Sequence, residues 1–267
     1  MRTRDLLSPG FLYFALILLF LYLPIGLLVL FSFNDSTTLI FPLKGLTLKW
    51  YGELLKANEL LEAVQNSLVL ALISSLVSTL FGTMAAIGIT RFDFPGRGVF
   101  LSIASLPLVI PYVVLAVALL LLFRSWNVEL SLWTVGAAHV VVNIPYVMLI
   151  VAARLAGFEQ NLEEAAMDLG STYWGTLMRV TLPISAPALV SAFLSSFTTS
   201  FDEFALAVFL TGKENTLPVY LYSQLRFPSR LPLVVTLAAI IMVASASLIL
   251  FSEWLRRVGQ PKARQIE

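Results

Sequence analysis

Two adjacent acids, Asp202 and Glu203, close a charge-free run, and the only histidine, His139, lies inside another such run. A carboxylate beside a low-dielectric passage can offset the hydration that a cation loses on the way through. The same two acids, placed in water at the end of an apolar run, would instead cap or orient the short segment after them. Their position near one end suits admission or gating better than a deep site. A polar side chain within so apolar a run faces a bundle interior or a water-filled cavity. His139 therefore either makes an interhelical hydrogen bond or lines a path, and a metal role lacks companion ligands.

The third stretch with chemical content is Asn161 to Pro183, the longest charged, helix-compatible segment between two long apolar runs. Asn161 can cap a helix, with Glu164 at the capping-box position. Leu162, Ala165, Ala166, Leu169 and Tyr173 then recur at helical spacing and make one modest apolar face, edged by Glu163, Glu164, Met167 and Asp168. Gly170 allows the chain to turn or another backbone to approach, Ser171 can cap a second short helix, and Pro183 fits the first turn of the next helix. Such an element lies on a membrane surface or docks a soluble partner.

No GxxxxGK[S/T] phosphate loop, HExxH metal site or GxSxG nucleophile occurs. An enzyme reading has no motif behind it, and the chain holds no cofactor site that the sequence shows. Composition explains the surroundings of these residues. Of 267 residues, 58% are hydrophobic and 12% charged, against about a quarter charged in ordinary globular chains. The solvent for most of the chain is lipid. A formal charge of +1, with no dense Lys/Arg stripe, gives no basis for nucleic-acid binding. With no cysteine there is neither disulfide nor thiolate chemistry.

The chain therefore reads as an all-α membrane protein with six transmembrane helices. The charge-free run Phe11 to Phe33 is too long for the core of a cleaved signal and is the first span, with a possible kink at Pro24. A turn-rich loop follows, then an interfacial helix over Leu48 to Val64 anchored by Trp50 and Tyr51, or a soluble helix packed on a neighbouring loop. The second span, from Gln65 through Thr90, carries Ser74, Ser75, Ser78, Gly82, Ala85, Ala86 and Gly88, small residues that permit close helix approach. Gly98 to Phe123 is the third, kinked or broken at Pro107 and Pro111. Leu130 to Ala153 is the fourth. The fifth resumes after Pro183 and runs through Phe201. Phe204 to Thr211 is too short to span, and either packs at the bundle edge or dips into the interface. Gly212 to Arg230 is a loop with interfacial character, and Leu231 to Ser252 is the sixth span. Segment boundaries are residues 1–10, a membrane domain 11–255 and a tail 256–267.

Six spans put both termini on one side. With that side cytoplasmic, the inner segments hold Arg2, Arg4, Arg91, Arg97, Arg154, Arg179, Arg256, Arg257, Lys262 and Arg264. The outer segments hold Lys44, Lys49, Lys56, Arg124, Lys213, Arg226 and Arg230. The short loops and span ends favour cytoplasmic termini, which places Asn161 to Pro183 inside the cell.

The central segment resembles the cytoplasmic signature of the permease subunits of bacterial binding-protein-dependent ABC importers. Glu164-Ala165-Ala166, Gly170 and Leu182-Pro183 match at the required spacing, with Val180 where Ile is usual. The resemblance implies a type I importer permease fold in the bacterial inner membrane, with this segment as the coupling helix that docks on an ATPase subunit. It implies partners as well: an ATPase dimer that uses ATP and Mg, a second homologous permease and a periplasmic substrate-binding protein. ATP hydrolysis would not occur in this chain. A narrower similarity is to the second permease of spermidine/putrescine transporters. It rests on Phe31-Ser32-Phe33-Asn34, Leu48 to Tyr51, Asn66-Ser67, Arg91 to Gly98, Ser200 to Glu203, Phe209 to Gly212, Leu217-Pro218 and Tyr222-Ser223. It implies a polyamine substrate; related permeases for other small solutes share several of these residues.

Overall fold

A computed structural model describes residues 9–157 and 161–258; most of the N-terminal segment and of the charged tail lies outside the described residues. Every regular element among the described residues is helical apart from one isolated bridge, Asn34 to Leu46. Four helical runs are long and apolar enough to cross a membrane: α1 (Pro9–Phe31), α3 (Asn58–Arg91), α6 (Leu132–Ala156) and the continuous run Tyr173–Asp202. The last comprises α8 (Tyr173–Thr176), a π-helical turn (Leu177–Thr181) and α9 (Leu182–Asp202). A fifth span arises if α4 (Arg97–Val109) and α5 (Tyr112–Ser125), bent by 104°, count as one broken crossing.

The bend follows from proline chemistry. Ile110 precedes Pro111, whose ring disfavours a helical residue before it, and Ile110 is accordingly extended with ψ 128°. The third span is thus two helices meeting at a sharp corner. The widened turn before α9 has a similar origin. Pro183 has no N–H to offer the carbonyl of Arg179, and Leu182 instead donates to Leu177 in an i→i−5 bond.

The chain divides into two compact units, residues 1–58 with 221–267, and residues 59–220. In the first, α1 packs along α12 (Leu231–Val258), as does α2 (Lys49–Leu54). The expected interfacial helix over Leu48 to Val64 is two elements: α2 ends at Leu54, and the residues from Asn58 already belong to α3. Trp50 is not a surface anchor. It is buried and its indole N–H donates to the Asn34 carbonyl at 2.9 Å, while the Tyr51 hydroxyl meets Ser32 Oγ at 2.7 Å. A buried indole needs that acceptor, and the bend after α1 presents one. No residue of α1 is buried, as suits a helix whose surroundings are lipid or another apolar chain.

The second unit carries two apolar layers. One joins Leu70 of α3, Ala116 of α5, Val135, Ala138 and Val142 of α6, and Leu206, Ala207 and Leu210 of α10 (Ala205–Leu210). The other joins Ala86 and Ile89 of α3, Val147, Met148, Val151 and Leu155 of α6, and Ala192 of α9. α10 is the short segment expected at the bundle edge or interface. It is instead a core element, packed on α5 and α6: all six of its residues are apolar, and Leu206, Ala207 and Leu210 are buried. The expected loop from Gly212 to Arg230 likewise holds a helix, α11 (Leu217–Gln224), and a 3₁₀ turn at Pro228–Arg230. The start of α11 is pinned to α3: Leu217 N–H donates to Ser67 Oγ at 2.8 Å, and the Asn66 amide donates to the Asn215 carbonyl at 3.1 Å.

Close approach of α3 and α6 depends on Gly82. A Cβ there would lie 2.7 Å from the Val147 side chain and 2.9 Å from the Ile144 carbonyl oxygen. Gly88, by contrast, faces open space. Gly82→Ala is expected to destabilise the bundle by about 1–3 kcal/mol through overpacking, and Gly88→Ala to leave it unchanged or firmer. Thermal unfolding of the two purified variants in one detergent checks the contrast.

Candidate functional site

A chain of polar side chains runs through the interior of the second unit. Ser74 Oγ of α3 lies 2.8 Å from Ser200 Oγ of α9, and Ser200 Oγ lies 2.6 Å from His139 Nδ1 of α6. His139 Nε2 lies 3.5 Å from Glu203 Oε2. All four residues are buried. With the proton on Nε2, Nδ1 accepts from the Ser200 hydroxyl and Nε2–H faces Glu203 at 3.5 Å, close to the carboxylate without a hydrogen bond to it. His139 thus makes an interhelical hydrogen bond, one of the two roles open to it from sequence.

Glu203 terminates α9 and starts α10. Its Oε1 and Oε2 accept the Leu206 N–H at 2.9 and 2.8 Å, and Oε2 also accepts that of Ala207 at 3.1 Å. These are the first amides of α10, which otherwise have no partner inside the protein. The capping expected of the acid pair is therefore present at Glu203, but the water is not: Glu203 is 8% exposed. Asp202, the last residue of α9, is exposed. The two acids separate because a helix end turns successive side chains in different directions. α10 runs back toward the start of α6, where Thr134 Oγ1 donates to the Leu210 carbonyl at 2.7 Å. Glu203 lies beside His139, five residues or about 7.5 Å further along α6 than Thr134.

Ser74 links this interior chain to a cleft of about 510 Å³ between α3 and α6. Apolar groups such as Val69, Ile73 and Val140 form its walls, and Gln65, Trp133 and Glu214 also line it. The arrangement offers a cation an apolar sleeve with a buried carboxylate behind a hydroxyl floor.

At the opposite ends of α3 and α6 stands α7 (Asn161–Asp168). Residues 158–160 lie outside the described residues, so the expected Asn161 cap falls at the edge of what is described. Gly170 adopts φ +90°, Gly170 N–H donates to Met167 at 2.9 Å and Ser171 N–H to Ala166 at 3.0 Å. This is a Schellman ending, which requires a left-handed residue and here has glycine. With Ser171 committed to that turn, the cap of α8 moves one residue on: Thr172 Oγ1 accepts the Gly175 N–H at 3.1 Å.

The apolar face read from spacing does not pack inward. Leu162 and Leu169 are exposed, Leu169 at 90%, as are Glu164 and Ala165, and Ala166 is half-buried. Glu163 points in instead. Its Oε2 pairs with Arg91 Nε at 2.8 Å, and its Oε1 accepts from Arg91 Nη2 at 3.2 Å and from Thr181 Oγ1 at 2.7 Å. Arg91 Nη1 donates to the Leu155 carbonyl at 3.3 Å. Leu182, half-buried, and Pro183, exposed, open α9 beside this cluster. Sequence reading passed over Glu163 and Arg91 as functional residues. The available signal was Arg91 as the first charge after a long charge-free span.

Residues 78–265 match the family described as binding-protein-dependent transport system inner membrane component. The chain belongs to this family of ABC-importer permeases. As such it is the non-catalytic, membrane-spanning component, which works in lipid with an ATPase subunit, a second permease and a periplasmic binding protein. The permease is 34% identical over 253 residues to the spermidine/putrescine transport system permease protein PotC of Escherichia coli K12, covering 94% of each chain. It is also 34% identical over 258 residues to the putrescine transport system permease protein PotI of the same strain, covering 93% of the permease and 91% of PotI. Its fold matches a chain of a bacterial ABC transporter that imports the acidic polysaccharide alginate, with TM-score 0.71, 16% identity and coverage of 97% and 99%.

Proposed function

We propose that the permease forms half of the translocation path of an ATP-driven polyamine importer, for spermidine, putrescine or a close analogue. The observation that carries this reading is the buried Glu203 carboxylate, joined through His139 and Ser200 to Ser74 on the wall of an apolar cleft. An alkyl polycation needs both halves of that arrangement: apolar walls for its methylenes and a negative charge to offset lost hydration. PotC and PotI, whose names specify spermidine and putrescine, agree in chemistry.

Six spans complete this reading. α4 and α5 form one broken crossing, and α12, 28 residues and about 42 Å long, is the sixth. Both termini are then cytoplasmic in the inner membrane, with residues 1–10 and 256–267 flanking the membrane domain 11–255. Residues 161–183 form the coupling segment on the cytoplasmic side. Glu164, Ala165, Ala166, Gly170, Leu182 and Pro183 carry the match to the family signature, and the exposed face bearing Leu162 and Leu169 is free to dock in an ATPase groove. Asp202, Glu203 and His139 serve the path, Glu203 and His139 from the interior and Asp202 from its exposed margin.

The chain has no cysteine, so a single one reports cleanly. Leu169→Cys is expected to cross-link to a cysteine engineered along the ATPase groove and to release it in a nucleotide-dependent manner. Absence of any cross-link in an assembled, transporting complex would reject the docking role of α7.

A further inference from the structure

α7 meets the membrane helices through a buried ionic joint. The side chains of Arg91 and Glu163 are 8% and 13% exposed, whereas those of the pairs Lys49–Glu53 and Arg97–Asp93 are 57% and 40%, and 44% and 99%, exposed. One guanidinium holds both oxygens of Glu163 and the carbonyl of Leu155, in the last turn of α6. The carboxylate also takes the hydroxyl of Thr181, in the π-helical turn that feeds α9. Four elements therefore converge on one ion pair: the end of α3, the end of α6, α7 and the start of the run through α9. The outward side of α7 contributes nothing to this joint, since Leu162, Glu164 and Leu169 are exposed.

We infer that the Arg91–Glu163 joint is the transmission link of the permease, making α7 move as one body with the inner ends of α3, α6 and α9. Arginine suits the task because its planar fork engages a carboxylate at two points and a carbonyl at a third, which fixes orientation as well as distance. A buried pair of this kind is costly to break on one side, since the remaining charge is left without its partner. Motion imposed on the outer face of α7 is thereby passed to three membrane helices at once. Without the joint, α7 keeps its docking face but slides against the bundle. Arg91 and Glu163 are positioning residues: they act through the helices they hold and touch neither solute nor nucleotide.

The inference rests on α7 being the element that docks on the ATPase, and the test separates the two. Complete transporter, with its ATPase, second permease and binding protein, is reconstituted in lipid vesicles, and solute uptake and ATP hydrolysis are measured together. Arg91→Gln and Glu163→Gln are expected to retain ATPase association and hydrolysis while solute moved per ATP falls about tenfold. The exchange Arg91→Glu with Glu163→Arg recovers part of the loss. A merely structural defect lowers uptake and hydrolysis in step and leaves their ratio unchanged. Arg91→Lys and Thr181→Val are measured alongside, being mild enough to leave the bundle folded; each is expected to lower the ratio about two- to threefold. An unchanged ratio in these two and in whichever glutamine variants assemble overturns the joint while leaving docking intact. Absence of the Leu169→Cys cross-link while Arg91 and Glu163 are intact overturns docking itself.

Discussion

Gly170→Val is expected to lower ATP-driven uptake at least about tenfold while the membrane helices stay folded. The reason is backbone conformation. No atom lies within 4 Å of where a Cβ would stand, so space is available for a side chain. The φ of +90° is what a β-branched residue resists. Forcing valine there costs about 2 kcal/mol or more, and the Schellman bonds from Gly170 and Ser171 give way. The end of α7 then departs from the geometry the ATPase would meet, and a misfit worth about 1.4 kcal/mol is already tenfold in an equilibrium. A graded series gives the sharper test, with asparagine, which tolerates this region, mildest, then alanine, then valine. Uptake that follows residue volume instead, or that stays normal in all three, contradicts the assignment.

Glu203→Gln is the second large effect. The amide retains an oxygen for the Leu206 and Ala207 N–H groups, so α10 keeps most of its cap, but the fixed charge behind the cleft disappears. Charges that are buried are weakly screened, and removing one alters the energy of a cation nearby by a few kcal/mol. Uptake of a diamine or triamine should fall about tenfold or more, with binding-protein-stimulated ATP hydrolysis reduced alongside. Glu203→Ala should go further and destabilise the fold, because two buried amides lose their acceptor at about 1–3 kcal/mol each. Asp202→Asn is the comparison: its side chain is exposed rather than buried beside His139, so its effect should be smaller, within about twofold. If Glu203→Gln and Asp202→Asn together leave uptake unchanged at equal expression, the cation-path role of this site is wrong.

The uneven fate of those two acids illustrates what the sequence could and could not reveal. The helical class, the long apolar runs and the break between Pro107 and Pro111 follow from local chemistry and were legible. So was the turn at Gly170. What local chemistry could not show is which side chains of the short segments turn inward: Trp50, expected at the interface, is buried. Leu162 and Leu169 keep the apolar face read from their spacing exposed, and the inward position belongs to a charged residue, Glu163, which spacing did not single out. Nothing near Glu163 announces its partner, because Arg91 is separated from it by 72 residues. α10 was misplaced for a related reason: six residues are too few to show a period, and its burial is decided by α5 and α6 folding over it. Ser171 and Thr172 carry the same capping chemistry, and only the hydrogen bond that Ser171 makes to Ala166 assigns the cap to the second.

The central claim concerns cargo and power together, and one measurement bears on both. The permease is reconstituted in vesicles with its ATPase, second permease and binding protein, and labelled putrescine, spermidine and uncharged small solutes are offered with and without ATP. The account predicts accumulation of a polyamine that requires ATP and the binding protein, together with ATP hydrolysis stimulated by the same solute. Accumulation of an uncharged solute with none of polyamine, or polyamine uptake that proceeds equally without ATP, would contradict it.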